Sequence, residues 1–137
     1  MKKLIIASGP VIINNKKQIL LNQHGDTEFW KFIGGSAKSF EMGLKEIAKE
    51  RAKDEMGVDI EILDDTPFIM HTLKEVEGNK IDVILVHYLS KLISDKIIPR
   101  DDIREWKWIS IDDLDQESRG CGIGPNIIPA LEHFKLI

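Results

Sequence analysis

Short apolar runs separated by polar breaks fill most of the chain, and one long stretch departs from them. The opening Leu4-Ile5-Ile6-Ala7 is too short for the apolar centre of a secretory leader, and Ser8-Gly9-Pro10 interrupts it. It reads as a first strand. Val11-Ile12-Ile13 and Gln18-Ile19-Leu20-Leu21 flank Asn14-Asn15-Lys16-Lys17, a strand–turn–strand unit with asparagine suited to left-handed turn positions. Residues 23–28 form a polar loop, and the aromatic stretch Phe29-Trp30-Lys31-Phe32-Ile33 is broken by Gly34-Gly35. From about Phe40 to Met56 the period becomes helical: Leu44, Ile47, Ala48, Ala52 and Met56 share one stripe, and Gly57 stands where a left-handed cap is common. Lys45, Glu46, Lys49, Glu50, Lys53 and Asp54 occupy the opposite, solvated face.

Beyond the helix, residues 59–63 predict a short strand. Residues 67–76 and 80–93 predict longer ones joined at Gly78-Asn79. Val83-Ile84-Leu85-Val86 is apolar on both faces, as a central covered strand would be. Residues 99–104 form a polar connection, residues 106–111 another strand, and Asp112-Asp113-Leu114 turns out of it. A glycine-rich loop at 120–125 precedes a closing helix at 126–134, with Ile127, Ile128, Leu131 and Phe134 at helical spacing. Strands with one long and one short helix predict an α+β sandwich in a single domain spanning 1–137.

Charge and composition narrow the function. Nineteen basic and 23 acidic residues leave a net charge of −4, which argues against duplex nucleic acid as a partner. An anionic small molecule remains compatible, because a bound cation can mediate its contact. Cys121 is the sole cysteine, so neither an intrachain disulfide nor a cysteine-based zinc site can form, and a reducing, cytoplasmic home is expected. No segment approaches the length of a membrane span.

Chemistry concentrates in Gly34-Gly35, Glu41 and the run Glu50-Arg51-Ala52-Lys53-Asp54-Glu55-Met56-Gly57-Val58. This stretch resembles the Nudix box: Gly, five residues, Glu, seven residues, then Arg-Glu-apolar-any-Glu-Glu-any-Gly-apolar. The order of Gln18-Ile19-Leu20-Leu21, Trp30-Lys31-Phe32-Ile33-Gly34-Gly35, the stretch from Arg104 to Leu114 and a final helix is similar to that family over most of the chain. The resemblance implies a Nudix-like α/β/α sandwich with a mixed β-sheet. It also implies Mg²⁺ or Mn²⁺ as cofactor and hydrolysis of a nucleoside diphosphate linked to another moiety by metal-activated water. Gly34 and Gly35 would bind substrate, because glycine lets backbone approach phosphate closely. Glu50, Asp54 and Glu55 would hold the metal, Glu50 and Glu55 would be the catalytic carboxylates, and Glu41 is a further candidate ligand.

The box departs from the pattern. Ile33 replaces the usual proline, and one residue too many separates Gly35 from Gly57. Anchored at Gly35, Glu41 matches the early Glu, Lys49-Glu50 the Arg-Glu pair and Lys53-Asp54 the Glu-Glu pair. Anchored at Gly57, the apolar positions all fall on apolar residues and Asp54-Glu55 match Glu-Glu. The second register is preferred, since a buried stripe constrains a helix more than a loop constrains its length. Glu50-Arg51 then reads as Arg-Glu reversed, with Arg51 in a metal ligand's place. It is expected to pair with Glu55 at i,i+4 across the cation position.

Weaker candidates are His24, His71, His87 and His133, which lack ligand spacing. Trp106 and Trp108, on one strand face, could pack or stack on a base. Asp101, Asp102 and Glu105 could supply a remote carboxylate, and Asn126 could cap the last helix or read a base edge. Three functions follow: a divergent hydrolase; a catalytically weakened or inactive nucleotide-binding or regulatory domain; or a general interaction module. The expected partner is a small-molecule nucleotide or nucleotide derivative, with no membrane and a homodimer left open.

Overall fold

The computed structural model describes residues 3–37, 41–114 and 122–137. Cys121 lies outside them. The elements are β1 (Leu4–Ile12), β2 (Gln18–His24), β3 (Gly35–Ser36), α1 (Leu44–Met56), β4 (Ile60–Ile62), β5 (Phe68–Val76), β6 (Asn79–Leu92), β7 (Ile103–Ser110), a 3-10 turn (Ile111–Asp113) and α2 (Ile127–His133). Long β6 organises the larger, five-stranded sheet, in the order β3-β1-β6-β4 with β5 also on β6. It pairs in parallel with β1 on one side, and antiparallel with β5 and then β4 on the other. β2 and β7 form a separate antiparallel pair.

A mixed sheet between two helices makes this an α+β sandwich. α1 lies on the face carrying Val86 and Tyr88, where Ala48 packs and the Ser8 hydroxyl donates to the Leu44 carbonyl at 2.8 Å. On the other face, Ile127, Ala130 and Leu131 of α2 close a core with Val11, Phe68, Ile19 and Ile109. A further cluster joins Ala52, Met56 and Val58 to Ile12, Leu20 and Ile33.

Several local expectations change. β1 runs unbroken through Ser8-Gly9-Pro10, because each residue from Leu4 to Ile12 is in register with β6. Gly9 is required there: a Cβ would lie 2.0 Å from the Ile33 carbonyl oxygen. β2 continues past Leu21 into the segment expected as loop. Asn22 and Gln23 are buried; the Asn22 backbone bonds reciprocally with Lys31, and Gln23 Nε2 donates to the Glu28 carbonyl at 2.8 Å. The hairpin turn falls at Glu77-Gly78, both with positive φ, one residue before the expected place. α1 starts at Leu44 rather than near Phe40, because Gly43 is extended.

Gly57 ends α1 in the left-handed conformation (φ 65°), and its N–H bonds back into the last turn. That turn is also closed from far downstream. Ile98 N–H donates to the Met56 carbonyl and Arg100 N–H to the Glu55 carbonyl, both at 2.8 Å. Among the described residues no helix is long and apolar enough to cross a membrane.

Candidate active site

Helix α1 buries Ile47, Ala48, Ala52, Glu55 and Met56 along one stripe. Together with the Gly57 cap, this is the packing of the register anchored at Gly57. Glu55 is the one charged member, and it is only 2% exposed. A buried carboxylate needs donors, and the glycine loop supplies one: Gly34 N–H donates to Glu55 Oε2 at 3.0 Å. Glu55 Oε1 lies 3.1 Å from His24 Nε2 but has no aligned donor. The helix thus grips the Gly34-Gly35 loop from beneath.

Asp54 faces outward into a different set of partners. Its Oδ2 receives Arg51 and also Arg100 Nη1, the latter at 2.8 Å. Arg100 forks onto Asp102, with Nε–Oδ1 at 2.5 Å and Nη2–Oδ2 at 2.9 Å. Asp102 Oδ2 stands 3.7 Å from His24 Nδ1. Arg51, Asp54, Arg100, Asp102, His24 and Glu55 therefore form one chain of polar contacts. The hydrogen bond from Arg100 holds the Asp102 carboxyl down at about 2, and Asp102 in return raises Arg100.

The expected Arg51–Glu55 pair is not formed. Glu55 turns inward to Gly34, so Arg51 takes Asp54 at i,i+3 instead. The Arg51 side chain runs under the glycine loop, where a Cβ on Gly35 would sit 3.0 Å from its Cδ. Its Nε is buried and unpaired.

This donor set does not fit a divalent cation. Asp54 is shared by two guanidinium groups, one Glu55 oxygen accepts the Gly34 amide, and Glu50 is exposed and pairs with no described residue. Among the described residues no three His, Cys, Asp or Glu side chains converge as a metal-ligating group. Of the expected site residues, the structure brings Gly34, Gly35 and Glu55 together and leaves Asp54 and Glu50 outside that contact.

Beside the glycine loop, on the sheet face opposite α1, opens a pocket of about 540 Å³. Ala7, Val83 and Leu85 line it along the sheet, Phe29 and Phe32 contribute aromatic rings, and Gly34, Gly35 and Ser36 edge it. Its polar and charged residues include Lys31, Lys74, His87 and Asn126, and among the described residues that line it none is Asp or Glu. His87 is 5% exposed, stands 5.0 Å from Phe32 between ring centroids, and receives the Asn126 side-chain amide on Nε2 at 3.0 Å. Burial pushes the His87 imidazole down to about 4, against a raising interaction with the Gly9 backbone, so the ring is neutral near pH 7. Asn126 precedes α2 but makes no side-chain cap: its backbone is helical (φ −87°, ψ −10°) rather than extended, and its Nδ2 donates to His87.

The other candidates lie elsewhere. His71 pairs with Asp82 at 2.8 Å, and His133 packs against Phe68 and Phe134. Trp108 joins the core, and Trp106, 38% exposed, does not line the pocket. Asp102 is the one remote carboxylate that reaches the α1 network; Asp101 and Glu105 are exposed. Sequence reasoning missed Arg100 and the two pocket lysines, whose charges carried no spacing signal. It named His24 without a role.

A family model for the NUDIX domain matches residues 3–131. Solved structures with the same fold include a NUDIX hydrolase from Nitrosomonas europaea, with 15% identity, 97% of this chain and 89% of that chain covered, and TM-score 0.74. A C. elegans Ap4A hydrolase binary complex matches with 18% identity, 96% and 95% coverage and TM-score 0.72. The MutT protein from Methanosarcina mazei Go1 matches with 20% identity, 98% and 94% coverage and TM-score 0.69. At these identities the structural likeness concerns the fold. No curated protein matches the chain.

Proposed function

The chain belongs to the NUDIX family, a family of hydrolases, and on that footing we propose that its pocket binds a nucleoside diphosphate linked to a second group while turning it over slowly or not at all. One observation carries this reading. Asp54, a carboxylate expected to hold metal, is neutralised by Arg51 and Arg100. Two guanidinium groups on one carboxylate repel a divalent cation and compete for the same oxygens. What remains is a pocket with an aromatic wall, a glycine rim and two lysines, features suited to holding a phosphorylated ligand.

A second reading, metal-dependent pyrophosphate hydrolysis, is favoured by Glu55, which sits under the Gly34 amide at the end of the box helix. Under it, Mg²⁺ or Mn²⁺ would be held by Glu50, Asp54 and Glu55, and Arg51 and Arg100 would have to release Asp54 first.

The test is a panel of a nucleoside triphosphate, Ap4A and a nucleotide sugar, assayed for saturable binding and for phosphate and pyrophosphate release in Mg²⁺, Mn²⁺ and EDTA. Binding without metal-dependent release is expected. Rapid release that EDTA abolishes would overturn the reading in favour of the second.

A further inference from the structure

We propose that the pocket holds the phosphate groups of its ligand directly through Lys31 and Lys74, with no bridging divalent cation. The inference rests on the reading of this pocket as the ligand site and adds how the anion is held.

Charge distribution is the first observation. The chain carries a net charge of −4, yet among the described residues the pocket lining contains two lysines and no carboxylate. Such a pocket concentrates positive potential within an acidic molecule and draws in an anion. Pairing is the second. Lys45, Lys53 and Lys91 each meet a carboxylate, at Asp65, Asp59 and Glu61 respectively. Lys31 and Lys74 have no ion pair among the described residues, so their ammonium groups keep all three donors for a ligand or for water. Third, Asp54 and Glu55, two of the three carboxylates that would otherwise recruit a cation, are tied to Arg51, Arg100 and Gly34.

The layout also sets the shape of the ligand. Lys74 stands opposite Ile81 on β6, and His87 lies six residues further along that strand. At the rise of an extended strand this is about 20 Å. Phe32 sits at the His87 end, where the neutral imidazole offers no charge. The ligand class is therefore an extended molecule, with an uncharged portion against Phe29 and Phe32 and a phosphate-bearing portion running from Lys31, next to Phe32 in the chain, toward Lys74. Lysine suits that role as a point charge without demanding fixed geometry.

The experiment is isothermal titration of the intact protein with ADP and with inorganic tripolyphosphate, each in EDTA and in excess Mg²⁺. ADP is expected to bind in EDTA, no more weakly than in Mg²⁺, and to weaken with ionic strength. Lys31→Gln and Lys74→Gln should each cost roughly tenfold in affinity. Lys74→Arg should recover most of that loss, and circular dichroism should show all three variants folded. ADP binding that requires Mg²⁺, or that ignores both Gln substitutions, overturns the inference while leaving the nucleotide reading intact. Tripolyphosphate bound in EDTA and lost in the Gln variants, with no ADP binding, supports the inference and removes the nucleotide reading. Failure of both probes under both conditions overturns both.

Discussion

Exchanging Glu50 and Arg51 asks whether Arg51 is what keeps a cation from α1. The double variant Glu50→Arg/Arg51→Glu keeps the net charge at −4 while reversing the sign at the position beside Asp54. Charges on helix neighbours about 6 Å apart, at an effective dielectric near 20, interact by about 3 kcal/mol. Asp54 is 46% exposed, so solvent reduces that to about 1 kcal/mol, and turning the attraction into a repulsion costs about 2 kcal/mol. The arginine placed at position 50, at i,i+4 from Asp54, replaces a like-charge pair and returns about 1 kcal/mol, for a net cost of about 1 kcal/mol. In a domain of this size 1 kcal/mol moves the melting temperature by roughly 4 °C, so the double variant should melt about 4 °C lower in EDTA. A third carboxylate on this face should then admit Mg²⁺. At a hundred times its Kd the ion returns about 2.7 kcal/mol, or about 10 °C. Thermal unfolding across a Mg²⁺ titration reads both effects, with the natural protein expected to stay within about 1 °C throughout. A Mg²⁺ response in the natural protein as large as the variant's, or none in the variant, would refute the argument that Arg51 excludes the cation.

Three further outcomes follow from the packing. His87 is held below the ordinary histidine range, so the unfolded chain takes up a proton that the folded one refuses. Stability should fall as pH drops from about 6.5 to 4, by about 3 kcal/mol, and urea unfolding of His87→Asn should lack that slope. Gly9→Ala drives a methyl into the Ile33 carbonyl and the Gly34 Cα, both backbone, and should cost about 2 kcal/mol or more by urea unfolding. Ile47→Asp removes roughly 2 kcal/mol of burial and inserts an unpaired charge against the sheet; circular dichroism should show the domain unfolded or nearly so.

What could be read from residues alone divides by the range of the interaction. The α1 stripe of Ile47, Ala48, Ala52 and Met56 with Gly57 beyond it was legible because period and cap are local. The same holds for β6, whose apolar run Val83-Ile84-Leu85-Val86 lies between β1 on one side and β5 on the other. Gln23 misled because its polarity suggests solvent, whereas a partner at the Glu28 carbonyl makes it fit a buried strand, as Lys31 does for its neighbour Asn22. At the site, the glycine pair and Glu55 were visible in the box. Its reversed Glu50-Arg51 pair drew attention to Arg51 but suggested Glu55 as its partner, since helical spacing allows both i+3 and i+4 and only the inward turn of Glu55 decides for Asp54. Arg100, Asp102 and His24 arrive from other segments, and their meeting depends on where β2 and the approach to β7 cross the helix end.

The closure of the α1 C-terminus by Ile98 and Arg100 has a consequence in time. Synthesis delivers the helix well before these two amides, with β4, β5 and β6 in between. The carbonyls of Glu55 and Met56 must stay hydrated until that segment emerges, so the turn bearing Asp54 and Glu55 is not closed before it. In the mature protein the same linkage makes the helix end, the Ile98–Arg100 segment and the glycine loop a single unit of local opening. Amide hydrogen exchange at Gly34, Ile98 and Arg100 should accordingly share one opening free energy, and peeling the 98–100 segment away would loosen the pocket rim without any change in the pocket itself.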